Sequence, residues 1–237
     1  MFSEPTIKGV FMRSHVKALA RKRGVAAVAE LQAAFGAPLD FGDMDDVLVR
    51  DEVRLLELAV RLMKDQPIAD GDVALEAGRL HFDNFVSTPL GRLTVPFFKN
   101  NFKSVIMGAR YLAGHIFRGV KFSSEDLGPS SVRLMMRNAD YPLDHFNGFL
   151  AGWMSYCGLR GTIEAQEPES RVRIYTIAWQ QPDRWTTSKP ISGMSKSASL
   201  RLTASSPRRR RATIPKTRSS RTTAITTNSP NWPPASR

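Results

Sequence analysis

Four histidines (His15, His81, His115 and His145), a single cysteine (Cys157) and an acidic run at Asp43, Asp45 and Asp46 are the side chains with most chemistry to offer. Imidazole binds metals and exchanges protons near neutral pH. His145 directly follows Asp144, and helical neighbours point about 100° apart, so the two do not make a base and its orienter. His145 falls instead at the edge of an aromatic face, near Phe149, Gly152 and Tyr156, where its plainest role is a hydrogen-bonded residue at the core rim. His115 lies late in a helix before Phe117-Arg118-Gly119. Cys157 sits among apolar residues and reads as an inert buried thiol. The aspartates lack the spacing and closing glutamate of a calcium loop and are placed to precede a helix N-terminus. Arg79 and Arg118 adjoin glycines and carry the fork that binds carboxylate or phosphate bidentately, with structural ion pairs as the plainer role. Lys17, Arg21, Lys22 and Arg23 read as a solvated basic face. Phosphate loops, nucleophile elbows, zinc-protease helices and paired catalytic carboxylates are not recognisable, so the expectation is a non-enzyme.

The periodicity that must position these groups is mainly helical. A strand over 7–11 is followed by a helix capped by Ser14, interrupted at Gly24 and ending at Gly36. Val49, Val53, Leu56, Val60 and Met63 mark a second helix, 72–86 a third stopped by Ser87-Thr88-Pro89, and 101–117 a fourth. Strands follow over 121–123 and 131–136. Then comes an aromatic helix, with Asp140 as cap, Pro142 in its first turn, Gly148 and Gly152 open to close approach, and Gly158 as left-handed stop. Strands over 162–166 and 171–179 close the pattern. The class is α+β: an N-terminal strand and helical layer, then an antiparallel sheet with an inserted aromatic helix.

Net charge is +12, but it is unevenly spread. Residues 180–237 carry 12 of the 34 lysines and arginines and one of the 22 acids, Asp183, leaving 1–179 with 22 bases against 21 acids. Serine and threonine supply 20 of those 58 residues and proline seven, with no apolar period. One α+β domain over 1–179 and a disordered basic tail over 180–237 are therefore expected. Arg208 to Arg211 could bind phosphates, and an out-of-frame ending would read the same way. No signal-peptide or membrane-spanning run is legible, which with the lone cysteine predicts a soluble cytoplasmic protein.

Several blocks occur in order: Lys8-Gly9-Val10-Phe11, Ala77-Gly78-Arg79-Leu80, Phe85 with Thr88-Pro89-Leu90-Gly91, Phe117-Arg118-Gly119-Val120-Lys121-Phe122, Asp140-Tyr141-Pro142-Leu143-Asp144-His145-Phe146, Gly148-Phe149, and Cys157-Gly158-Leu159-Arg160-Gly161. Together they resemble an uncharacterised family multiplied in Myxococcus and its relatives, over roughly residues 7–179. More remotely, the element order with Gly148-Phe149-Leu150-Ala151-Gly152 looks like the 4-vinyl reductase and haem-NO-binding superfamily. That second resemblance implies an α+β fold around a small-molecule pocket, often sensory. The haem-binding members also carry Tyr-x-Ser-x-Arg, which neither Tyr141-Pro142-Leu143 nor Tyr156-Cys157-Gly158 supplies, so haem is not expected.

The leading expectation is a regulatory or sensory domain binding a small hydrophobic molecule. Arg79, His115, Arg118, Tyr141, His145, Phe149, Trp153 and Tyr156 are its candidate ligand contacts. The alternatives are a protein–protein adaptor, as a homo-oligomer or with another partner through the Gly148 and Gly152 face, and nucleic-acid association through the basic tail.

Overall fold

The computed structural model describes residues 3–98, 101–180 and 222–227. Strand β1 (Thr6–Lys8) is shorter than expected, because helix α1 (Gly9–Phe35) starts at Gly9. The following loop crosses the start of α1 so closely that a Cβ on Gly9 would stand 2.1 Å from the Gly42 carbonyl oxygen. The amides of Gly9 and Val10 donate to the Asp45 and Asp43 carbonyls at 2.9 and 3.1 Å. A tertiary backbone contact thus does the capping expected of Ser14, which lies inside the helix with its hydroxyl buried and unpartnered. Gly24 interrupts α1 as its position predicts, with φ of 82°.

Strand β2 (Asp46–Leu48) pairs antiparallel with β1 and leads into α2 (Val49–Met63), which buries Val49, Val53, Leu56 and Val60. Helix α3 (Asp70–Ser87) ends at Thr88. The sequence reads Thr88-Pro89 as a stop, yet a further helix, α4 (Pro89–Phe98), begins there. Thr88 Oγ1 accepts from the Gly91 amide at 3.0 Å and Pro89 occupies the first helical position, so the pair is a start signal as well. The single helix expected over 101–117 is broken at Gly108 into α5 (Phe102–Met107) and α6 (Ala109–Ile116). Strand β3 (Phe117–Arg118) then adds to β1, giving a small sheet ordered β2-β1-β3.

The larger sheet contains β4 (Lys121–Gly128), β5 (Ser131–Arg137), β6 (Arg160–Glu169), β7 (Val172–Gln180) and β8 (Thr222–Thr227), antiparallel and ordered β4-β5-β7-β6-β8. Val132, Leu134 and Met136 of β5, Ile163 and Ala165 of β6, and Tyr175, Ile177 and Trp179 of β7 are buried in the core. Helix α7 (Leu143–Tyr156) crosses between β5 and β6 in the chain and packs against α3. Its cap is Pro142, while Asp140 is instead held by Arg171 at 2.6 Å. Gly158 ends it with φ of 68°, and the Leu159 amide donates to the Met154 carbonyl at 2.9 Å, closing the last turn.

Helices α3 and α7 meet backbone to backbone. A Cβ on Gly78 would lie 1.7 Å from the His145 carbonyl oxygen, and one on Gly148 would lie 1.9 Å from that of Leu75. A Cβ on Gly152 would lie 2.9 Å from the Phe82 ring. The α+β class stands as read. Of the tail expected to be disordered, residues 222–227 form a strand on β6, with Ile163 opposite Ile225. The rest of it, including the 208–211 arginines, lies outside the described residues. Among the described residues no helix is long and apolar enough to cross a membrane.

Candidate ligand cavity and buried histidine cluster

Because glycines bring α3 and α7 together at backbone distance, their large side chains are pushed to either side of the seam. On one side lies a cavity of about 70 Å³ walled by apolar groups. Phe85 of α3, Phe146, Phe149 and Trp153 of α7, and Ile106 and Ala113 of α5 and α6 are among its walls. Trp153 keeps its indole N–H buried without an acceptor. Among the described residues the cavity has one polar residue in its wall, His81.

His81 belongs also to a second feature, a cluster of polar side chains with no more than 3 % exposure. His15 of α1, Glu52 of α2, and His81 and Asn84 of α3 meet Tyr141 and His145 there. Glu52 Oε1 lies 3.0 Å from His15 Nε2 and 3.6 Å from His81 Nε2. Tyr141 O–H donates to Glu52 Oε2. The Asn84 amide nitrogen donates to His15 Nδ1 at 2.8 Å, which places the His15 proton on Nε2, facing Glu52. His81 Nδ1 and His145 Nε2 share a hydrogen bond at 3.1 Å, and His145 Nδ1 is buried without a partner.

Burial sets the electrostatics. Desolvation lowers His15 to about 3 and His81 to about 4, the second against the attraction of Glu52, and takes His145 well below its ordinary value. It raises Glu52, with His81 and the Tyr141 hydrogen bond pulling the other way, and raises Tyr141. The cluster is a set of neutral imidazoles around a carboxyl group that burial disfavours in its charged form.

Of the eight residues expected to contact a ligand, Phe149 and Trp153 line the cavity. Tyr141 and His145 belong to the cluster, and the Tyr156 ring packs on Phe82. Arg79 pairs with Glu76 at 2.5 Å, Arg118 pairs with Asp46 at 2.5 Å, and His115 is exposed on α6; none of the three lines the cavity. The residues that sequence reasoning passed over are His15, Glu52, His81 and Asn84. Their signal was present: Phe11-His15-Leu19, Ala77-His81-Phe85 and Glu52-Leu56 each put a polar residue on a buried stripe at four-residue spacing. A second cleft, of about 360 Å³, is lined by Arg13, Lys17, Arg21 and Arg92 with Asp43. Lys17 and Arg21, two residues of the basic face, therefore line a concave surface.

Residues 1–180 match the family described as protein of unknown function, DUF2378. The chain belongs to that family. No curated protein matches it. Solved structures that resemble it are H-NOX proteins. The Fe(II) unliganded H-NOX from K. algicida has 11% identity and a TM-score of 0.53, covering 74% of this chain and 98% of that one. An oxygen-binding H-NOX domain related to soluble guanylate cyclases has 13% identity and a TM-score of 0.52, with 74% and 96% covered. A doubly substituted Tt H-NOX has 15% identity and a TM-score of 0.53, with 74% and 96% covered. The DUF2378 fold is H-NOX-like.

Haem, which such a fold brings to mind, does not fit the residues present. His81 is the only imidazole in the cavity wall, and its two nitrogens face Glu52 and His145. Among the described residues no lysine or arginine lines the cavity to meet a propionate. At about 70 Å³ it is far below the roughly 300–1,000 Å³ of drug-sized ligand sites.

Proposed function

We propose that this DUF2378 domain is a non-enzymatic sensory module that takes a very small, largely apolar molecule into the cavity beside Trp153. The observation that carries the reading is the apolar cavity with one imidazole in its wall and a buried, unaccepted indole N–H at Trp153. A void of that size and lining holds a few heavy atoms, and apolar cavities of comparable character take up apolar guests without water. The reactive side chains are shut away from solvent, which supports binding over turnover. His81 touches both the cavity and the cluster, so occupancy acts on α1, α2 and α3 together.

Xenon is the probe of choice, because its uptake needs only an apolar void. Saturable xenon shifts at Phe149 and Trp153 in side-chain NMR are expected, and should vanish in Ala113→Phe, which fills the void. Absence of any shift at those residues would remove the cavity as a binding site.

A further inference from the structure

The three helices of the N-terminal layer converge on one small set of atoms: His15 from α1, Glu52 from α2 and His81 from α3 offer one ligand atom each, all within 4.8 Å of one another. We infer that His15, Glu52 and His81 form a site for a divalent transition ion of the zinc class, bound through His15 Nε2, Glu52 Oε1 and His81 Nε2. Two imidazoles and a carboxylate are a donor set such ions accept in four-coordinate geometry with bonds near 2.0–2.1 Å. In that geometry neighbouring ligand atoms stand about 3.3 Å apart. The two separations recorded to Glu52 Oε1, 3.0 and 3.6 Å, bracket that value.

The surroundings carry the argument further than the ligands do. Each ligand has its remote atom held by another buried side chain. Asn84 holds His15 Nδ1, His145 holds His81 Nδ1, and Tyr141 donates to Glu52 Oε2. Metal-binding imidazoles and carboxylates are oriented in this way, with the far nitrogen or oxygen fixed by a hydrogen bond. On binding, His15 would carry its proton on Nδ1 and the Asn84 amide would turn its oxygen to accept it. The same rule gives His81 a proton on Nδ1 for donation to His145. A divalent ion would favour the carboxylate form of Glu52, which burial alone disfavours.

The ligands are sealed, so the ion enters as the chain folds. The test therefore uses the full chain refolded from denaturant with Co²⁺ or Zn²⁺ as the sole added metal. The expected results are one ion per chain after gel filtration, visible ligand-field bands from Co²⁺ in a four-coordinate nitrogen and oxygen site, and a higher thermal midpoint than without metal. Tyr141→Phe keeps all three ligands and should bind about 10–100-fold more weakly. Cys157→Ser and His115→Asn should bind as the parent does. A metal-free refolded parent with no Co²⁺ bands and an unchanged midpoint would overturn the inference, leaving protons alone in the cluster. So would full-strength binding by a His15→Asn, Glu52→Gln double variant, or loss of binding in Cys157→Ser or His115→Asn. Should the double variant fail to fold, the Co²⁺ spectrum of the parent decides the matter.

Discussion

Glu52 is wholly buried, yet three donors or potential donors converge on its carboxyl group, from Tyr141, His15 and His81. In the unfolded chain His15, His81 and His145 titrate near 6.5, whereas in the fold burial holds them down, the first two at about 3 and about 4. Between 6.5 and those lower values the unfolded chain binds more protons. Stability from this source is complete above pH 6.5 and is lost as pH falls, by up to about 1.4 kcal/mol per pH unit for each histidine. Glu52 opposes this above its ordinary value of 4.5, one raised group against three lowered ones. The urea midpoint of the metal-free chain should therefore drop steadily from pH 7 to pH 5. A flat profile would mean that the imidazoles titrate alike in the folded and unfolded chain. Tyr141→Phe should lower stability by about 1–3 kcal/mol, the effect of removing a buried hydrogen bond to a carboxyl group, measured by denaturant titration at pH 7.

At the scale of elements, the α3–α7 seam is the least forgiving contact in the fold. Gly78→Ala forces a methyl group into the His145 carbonyl, and Gly148→Ala does the same to Leu75. Neither clash can be relieved by turning a side chain, so each substitution should destabilise by about 3 kcal/mol or more in urea unfolding. Ala29→Gly, at an exposed position of α1, should lose only about 1 kcal/mol. Much of this was legible in the chain. Gly148 and Gly152 at four-residue spacing predicted close approach, Gly24 and Gly158 fell where helices break and stop, and the β-branched runs named the sheet. What the sequence could not show was which polar residues meet. His15 and His145 are 130 positions apart, and no local period says that α1 and α7 face one cluster. Glu52 was hidden because a carboxylate on an amphipathic helix is ordinarily read as its solvent face. Thr88-Pro89 misled for a local reason, since the same dipeptide ends one helix and opens the next.

For the whole molecule, the family match and the folded core end together at about residue 180, while β8 comes from 222–227. A chain ending at Gln180 should keep the cluster, the cavity and its thermal midpoint to within a few degrees. The amides of β6 that pair with β8 should then exchange their hydrogens faster, because β6 becomes the sheet edge. Hydrogen exchange read by mass spectrometry on peptides from β6 distinguishes this from collapse of the whole sheet, which would accelerate β5 and β7 as well.

The paired glycines also decide where a guest can pass. Helices α3 and α7 touch through main-chain atoms, so one cannot withdraw from the other without the whole seam parting. The facing wall is built differently, from the two short helices α5 and α6 on either side of Gly108. Lifting six or eight residues is a far smaller excursion than separating two long helices. On the reading proposed above, a guest would pass on the α5–α6 side, and substitutions at the Gly108 joint would alter its residence time.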